Sequence, residues 1–230
     1  MFIHYRTKGI FIKRQEREEA DILFTVYTQN FGKIDILGKS IRKINSKLRA
    51  GSRELCLSEI EFIQGKTHKT LTDSLLIDNF PEIREDLDKT EIAFQICNIL
   101  DQLVAEEQKD DQIWELLLES FERLNTEHKL CYFFFLWNLL AILGYQPELY
   151  KCALCEKKLD PNDLHFSSEQ GGLVCSVCAG KDSISVKAEV IKILRLILNK
   201  NWDILTKLKT EEKNWQELEK VSQKYVFELK

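Results

Sequence analysis

Cys152-Ala153-Leu154-Cys155, followed after nineteen intervening residues by Cys175-Ser176-Val177-Cys178, places four of the chain's seven cysteines in two CxxC pairs. Each pair forms a tight knuckle that aims two sulfurs at one point, and the excursion between them is long enough to bring the second knuckle back to the first. Four thiolates complete a tetrahedral shell around one structural Zn2+ and leave no position open for an activated water. The competing reading is a redox or unligated CxxC, but a redox pair normally stands alone at a strand-to-helix junction. The excursion carries Pro161, Asn162, Asp163 and Gly171-Gly172, which suit turns and a short hairpin. Glu156 follows the first knuckle where glycine or another small residue is common, whereas Ala179 and Gly180 follow the second.

Outward from this module, the chain changes character at Pro81. Before it, Tyr5 to Lys13, Ile22 to Gln29, Lys33 to Leu37, Leu55 to Ile63 and Thr70 to Asn79 are rich in β-branched and aromatic residues and are separated by turn or charged segments. Five strands in fewer than eighty residues predict a small OB-like barrel. After Pro81 the apolar spacing becomes helical. A helix from about Ile83 to Glu107 has Leu87, Phe94, Cys97, Leu100 and Val104 on one face. A second carries Ile113, Trp114, Leu117, Leu118, Phe121 and Leu124, capped by Asp110 or Asp111. Leu130 to Leu143 is an apolar core helix closed by Gly144, and helices follow over Ala188 to Lys200, near Trp202 to Leu208 and from about Glu211. Trp114, Trp202 and Trp215 read as core.

The expected architecture is α+β and multidomain. An N-terminal OB-fold β-barrel occupies residues 1–80, and an α-helical domain occupies 81–230 with a four-cysteine zinc ribbon or finger inserted at 150–180.

Charge is distributed unevenly. The 230 residues carry a net −4, yet residues 1 to 80 hold 14 Lys/Arg against 10 Asp/Glu. Lys39, Arg42, Lys43, Lys47, Arg49 and Arg53 lie in a fifteen-residue stretch without one acidic residue. It falls between the third and fourth strands, the long connection of the barrel. Such a loop binds phosphates by releasing condensed counterions, in a salt-dependent and sequence-indifferent way. Phe24, Tyr27 or Phe31 are candidate surfaces for stacking bases; the bland alternative is a solvated loop with those rings buried. Arg6 and Lys8 on the first strand are weaker phosphate contacts.

Enzymatic chemistry is not expected. The nine glycines approach neither GxxxxGK[ST] nor GxGxxG, and the four histidines are scattered without an HExxH. Acid pairs such as Glu106-Glu107 and Asp110-Asp111 suit helix ends. No signal peptide or bilayer-length apolar run is evident, so a cytoplasmic chain with reduced thiols is expected. Two alternatives remain open: a protein-interaction scaffold built on the ribbon, and a metal-dependent nuclease using dispersed carboxylates.

These elements, in this order, resemble the bacterial RecO family of DNA repair proteins. The resemblance is carried by Tyr5-Arg6-Thr7-Lys8-Gly9-Ile10, Glu19-Ala20-Asp21, Tyr27-Thr28, Gly32-Lys33, Gly38-Lys39, Arg42-Lys43 and Ser46-Lys47-Leu48. Further on it rests on Leu71-Thr72, Phe80, Leu143-Gly144-Tyr145-Gln146-Pro147 running into Cys152, and Phe166-Ser167 ahead of Gly171-Gly172 and Cys175. It differs at Leu37-Gly38-Lys39-Ser40, where Ala-Lys-Gly is more usual, and at Glu156. The resemblance implies a mediator of the DNA damage response that binds single- and double-stranded DNA and anneals complementary strands. With RecR it would help load RecA onto DNA coated by single-strand binding protein, whose acidic C-terminal tail docks on the helical domain. It also implies a nucleoid-associated setting and no nucleotide hydrolysis.

Overall fold

The structure, a computed structural model, describes residues 3–17, 19–126, 128–208 and 210–228. It contains two compact units, residues 1–132 and 133–230.

In the first unit, strands β1 (His4–Arg17), β2 (Asp21–Thr28), β3 (Gly32–Gly38), β4 (Leu57–Gln64) and β5 (Lys69–Asp78) close a barrel in the order β1-β2-β3-β5-β4. Four pairings are antiparallel and the β3–β5 pairing is parallel. This is an OB-like arrangement. Inward-facing alternate residues make the core: Phe24, Val26, Ile34, Ile36, Ile60, Phe62 and Leu71 are all buried. Closure is helped by a register shift between Phe11 and Lys13 on β1 and another between Glu61 and Phe62, since a bulge bends a strand and sharpens its twist. β4 begins at Leu57, two residues later than expected. Leu55 has φ +60°, a left-handed conformation that breaks the strand, and its N–H donates to Phe11 O at 2.9 Å.

The barrel does not stand alone. After α1 (Pro81–Arg84), α2 (Leu87–Leu103) and α3 (Asp111–Arg123) complete the same unit. The expected single helix from Ile83 is two helices, because Asp86 caps α2 by accepting from Asp88 N and Lys89 N. This places Leu87 in the first turn with 82% of its surface exposed, so it is not part of the apolar face. Cys97, Leu100 and Val104 are buried as expected, and Asp110 caps α3 through Gln112 N and Ile113 N. Trp114 stacks on Tyr27 of β2 at 6.4 Å, and Lys13 of β1 pairs with Asp101 of α2 at 2.8 Å. The compact unit therefore runs well past Pro81.

α4 (His128–Ile142) ends in a Schellman motif: Tyr145 N donates to Leu140 O and Gly144 N to Ala141 O, with Gly144 at φ +90°. In the second unit Phe134, Phe135, Leu136 and Trp137 are fully buried, as befits a helix touching neighbours on every side. Around it lie α5 (Ala188–Leu198), α6 (Trp202–Leu205) and α7 (Glu212–Glu228). Trp137 Nε1 donates to Ser222 Oγ at 3.0 Å, and its ring stacks on Tyr225 at 5.2 Å. Trp202 and Trp215 pack on Phe134 and Phe133. A three-stranded sheet, order β7-β6-β8, is made by β6 (Leu164–Ser167), β7 (Gly172–Val174) and β8 (Ile184–Val186). Gly172 is required here, because a Cβ would sit 2.3 Å from Glu148 O. Among the described residues, no helix is long and apolar enough to cross a membrane.

Candidate nucleic-acid interface and metal centre

The connection from Lys39 to Cys56 is pinned at both ends, which is how it presents its cations. Ser40 N donates to Asp21 Oδ1 at 2.7 Å and Arg42 N to Ala20 O at 3.1 Å, tying the loop to the β1–β2 hairpin. Ile41 is buried in the barrel core and Leu48 packs against that core. A short 3-10 turn, Lys47–Arg49, follows, and Ser52 Oγ closes back on Leu48 O at 2.6 Å. With Ile41 and Leu48 turned inward, Lys39, Arg42, Lys43, Lys47, Arg49 and Arg53 are all exposed, as is Ile44 between them. Arg42 pairs with Glu16 at 3.2 Å; the other five have no ion pair among the described residues.

Three of these arginines, Arg42, Arg49 and Arg53, line a cleft of about 500 Å³, where Arg14 of β1 and Arg84 of α1 join them. Ile22, Phe24, Ile41 and Leu55 form its apolar floor. Lys39, Lys43 and Lys47 are not among its lining residues. Arg6 and Lys8 sit opposite Glu61 and Glu59 in the β1–β4 register, and Arg6 reaches Glu59 at 3.4 Å, so each cation has an acid on the neighbouring strand. Sequence reasoning misses Arg14 and Arg84, since only the closure of the barrel brings them to the loop.

The stacking surfaces proposed from sequence are corrected by the structure. Phe24 and Tyr27 are buried, and Phe31 packs edge-on against Tyr5 and Phe62 at 5.6 and 5.4 Å. Alternation on a barrel strand sends every second ring inward, and Tyr27 is covered by Trp114. The partly exposed ring at the cleft is Phe94 of α2 instead.

The cysteine tetrad forms as its spacing predicts. The sulfurs of Cys152, Cys155, Cys175 and Cys178 all lie within 4.8 Å of one another, and among the described residues this is the one cluster of His, Cys, Asp or Glu suited to hold a metal ion. Cys155 Sγ and Cys175 Sγ are 3.8 Å apart. A tetrahedron with Zn–S bonds of about 2.3 Å has edges of about 3.8 Å, so four thiolates at this spacing fit such an ion. The first knuckle turns through Glu156 N to Cys152 O and the second through Ala179 N to Cys175 O, both at 2.9 Å. Burial works against a thiolate at Cys152, but backbone N–H groups of Cys155, Cys175 and Leu154 outweigh it and bring the thiol down to about 6. The hydrogen bond to Cys175 and then burial push Cys178 up to about 12. Glu156 has φ +60°, which explains why glycine suits that position. The remaining cysteines, Cys56, Cys97 and Cys131, are buried, and burial raises the Cys97 thiol far above its ordinary value.

Comparison with known proteins agrees with this anatomy. Residues 1–80 match the family described as Recombination protein O N terminal, and residues 84–228 match Recombination protein O C terminal. A DNA repair protein RecO from Dehalococcoides mccartyi is 34% identical over 218 residues, covering 94% of this chain and 86% of that protein. Another from Acetivibrio thermocellus is 30% identical over 230 residues, covering 98% and 91%. A third, from Caldanaerobacter subterraneus, is 28% identical over 226 residues, covering 96% and 91%. With an OB-like barrel, a helical region bearing a four-cysteine cluster, and both family matches spanning nearly its whole length, the chain belongs to the RecO family of DNA repair and recombination proteins.

Proposed function

We propose that this chain is a recombination mediator that binds single- and double-stranded DNA and anneals complementary strands without nucleotide hydrolysis. The observation that carries the reading is the exposed cationic run from Lys39 to Arg53, held on the barrel by Ile41 and Leu48. Cations neutralise the phosphates of two strands at once and so lower their mutual repulsion while they pair. Lys39, Arg42, Lys43, Lys47, Arg49 and Arg53 make the main contacts, and Arg6 and Lys8 weaker ones. The domain assignment that goes with this role is a DNA-binding barrel at 1–80 and a helical domain at 81–230 carrying the module 150–180.

The tetrad Cys152, Cys155, Cys175 and Cys178 holds one structural Zn2+, which fixes the ribbon. Partners are RecR and the acidic C-terminal tail of single-strand binding protein, with RecA served indirectly, in the cytoplasm at the nucleoid. The chain is a binding protein and not an enzyme.

The test is annealing of complementary fluorescent strands coated with single-strand binding protein, with no nucleotide present. Acceleration over the coated control is expected. No acceleration by folded, zinc-loaded protein, with or without RecR, would overturn the mediator role, and strand degradation on adding magnesium would favour a nuclease.

A further inference from the structure

The cleft beside the loop differs from the loop in the kind of cation it holds. All five cations lining it are arginines, while the lysines of the same segment stand outside. A guanidinium is planar, grips phosphate oxygens through two parallel N–H donors and stacks on a base; an ammonium is a point charge. The two populations therefore suit different tasks.

Arg84 is fixed in place. Its Nε donates to Asn79 O at 2.8 Å, and its Nη2 to Glu54 O and to Cys56 Sγ at 3.2 Å, none of which neutralises it. Arg49 and Arg53 have no ion pair among the described residues. Arg14 and Arg42 share Glu16 at 3.5 and 3.2 Å, but that carboxylate is well exposed and so a weak competitor for phosphate. Glu54 is the one acid in the lining. Burial raises its carboxyl, although Arg14 and Arg84 pull the other way. Beneath the arginines the floor is apolar, and the partly exposed ring of Phe94 stands at its side.

Resting on the DNA-binding reading above, we infer that this cleft takes one nucleotide of a single strand, its base against Phe94 and its flanking phosphates between Arg14, Arg49, Arg53 and Arg84. A cleft of about 500 Å³ lies within the usual range for small-ligand sites. A base stacked and paired in a duplex cannot enter it without being extruded, whereas a base in a single strand is free to turn inward. The outer lysines hold either form of DNA by charge, and the cleft prefers the single strand. One basic surface is thus divided into an unselective rim and a strand-selective seat.

The experiment uses the full chain and fluorescein-labelled oligonucleotides, single-stranded and duplex, at one salt concentration. Phe94→Leu and, separately, Arg14→Gln should weaken single-strand binding about five- to tenfold and leave duplex binding within about twofold. A 2-aminopurine base in the single strand should change fluorescence on binding, and Phe94→Leu should remove that change. The triple variant Lys39→Glu, Lys43→Glu, Lys47→Glu should weaken both forms together. Arg14→Gln alters an exposed side chain, so it keeps the test decisive if Phe94→Leu impairs folding. If neither cleft variant changes the ratio of single-strand to duplex affinity while the lysine variant lowers both, the cleft assignment falls and DNA binding stands. If the unmodified chain binds neither form at low salt, both fall.

Discussion

Lys33 on β3 is 8% exposed, and its ammonium donates to both the main-chain carbonyl and the carboxylate of Asp101 on α2, at 2.5 and 3.2 Å. Lys13 on β1 reaches the other oxygen of the same carboxylate at 2.8 Å. One acid on a helix thus answers two cations on two barrel strands. Asp101→Ala should cost about 2–3 kcal/mol, because it leaves a buried ammonium unpaired. Lys13→Ala should cost less than about 1 kcal/mol, since Lys13 is half exposed. Chemical denaturation of both variants checks the order; equal losses would show that Lys33 does not depend on Asp101.

The same carboxylate gives a pH dependence of known sign. Burial alone would raise the Asp101 carboxyl, but the hydrogen bonds from Lys13 and Lys33 outweigh it and hold the group below its usual value. A depressed folded value means that its contribution is complete above about pH 4 and is lost as the pH falls through that folded value. Stability measured from about pH 6 down to about pH 2 should therefore decline less steeply in Asp101→Asn than in the unmodified chain.

Salt dependence probes the loop. Each phosphate neutralised adds about 0.9 to the slope of log affinity against log salt on duplex DNA. Reversing Lys39, Lys43 and Lys47 should lower that slope by about two to three. An unchanged slope would remove these lysines from the DNA surface.

Removing a sulfur tests the tetrad. Cys152→Ser should lose the bound metal in elemental analysis of carefully reduced protein and make residues 150–180 sensitive to protease. Retention of metal by the serine variant, or its absence from the unmodified chain, would contradict the assignment.

Glu156 offers a gain instead of a loss. It occupies a left-handed conformation that costs a side-chain-bearing residue about 1–2 kcal/mol, and its ion pair with Lys151 at 3.1 Å is exposed and weak. Glu156→Gly should stabilise the zinc-loaded protein by about 0.5–1 kcal/mol in thermal denaturation.

These positions also show what a sequence reveals and what it hides. Cys152, Cys155, Cys175 and Cys178 are legible because the ligand spacing is local, and the barrel because β-branched and aromatic enrichment along five short segments is local too. The run from Lys39 to Arg53 stands out for the same reason. The cleft does not, since Arg14 and Arg84 join the loop only when β1, β2 and α1 meet in space, and no period in the sequence records that meeting. Phe24 and Tyr27 mislead for a related reason: a ring on a strand is exposed or buried according to which face closes inward, and Trp114 covering Tyr27 comes from a distant helix. Leu87 is misplaced by apolar spacing because Asp86, a cap visible as a single letter, restarts the helix one turn later than that spacing suggests.

Phe166 of β6 packs edge-on against Trp137 at 6.2 Å and against Tyr225 at 5.6 Å, while its neighbour His165 pairs with Val174, next to Cys175. The tetrad is therefore wired to an indole: one strand pair and one phenyl ring lie between a cysteine of the candidate metal site and Trp137. That makes the tryptophan an optical gauge of occupancy. Chelation should shift its emission before the helices melt, and the shift should vanish in Phe166→Leu, giving a reading of metal content in solution without any added dye.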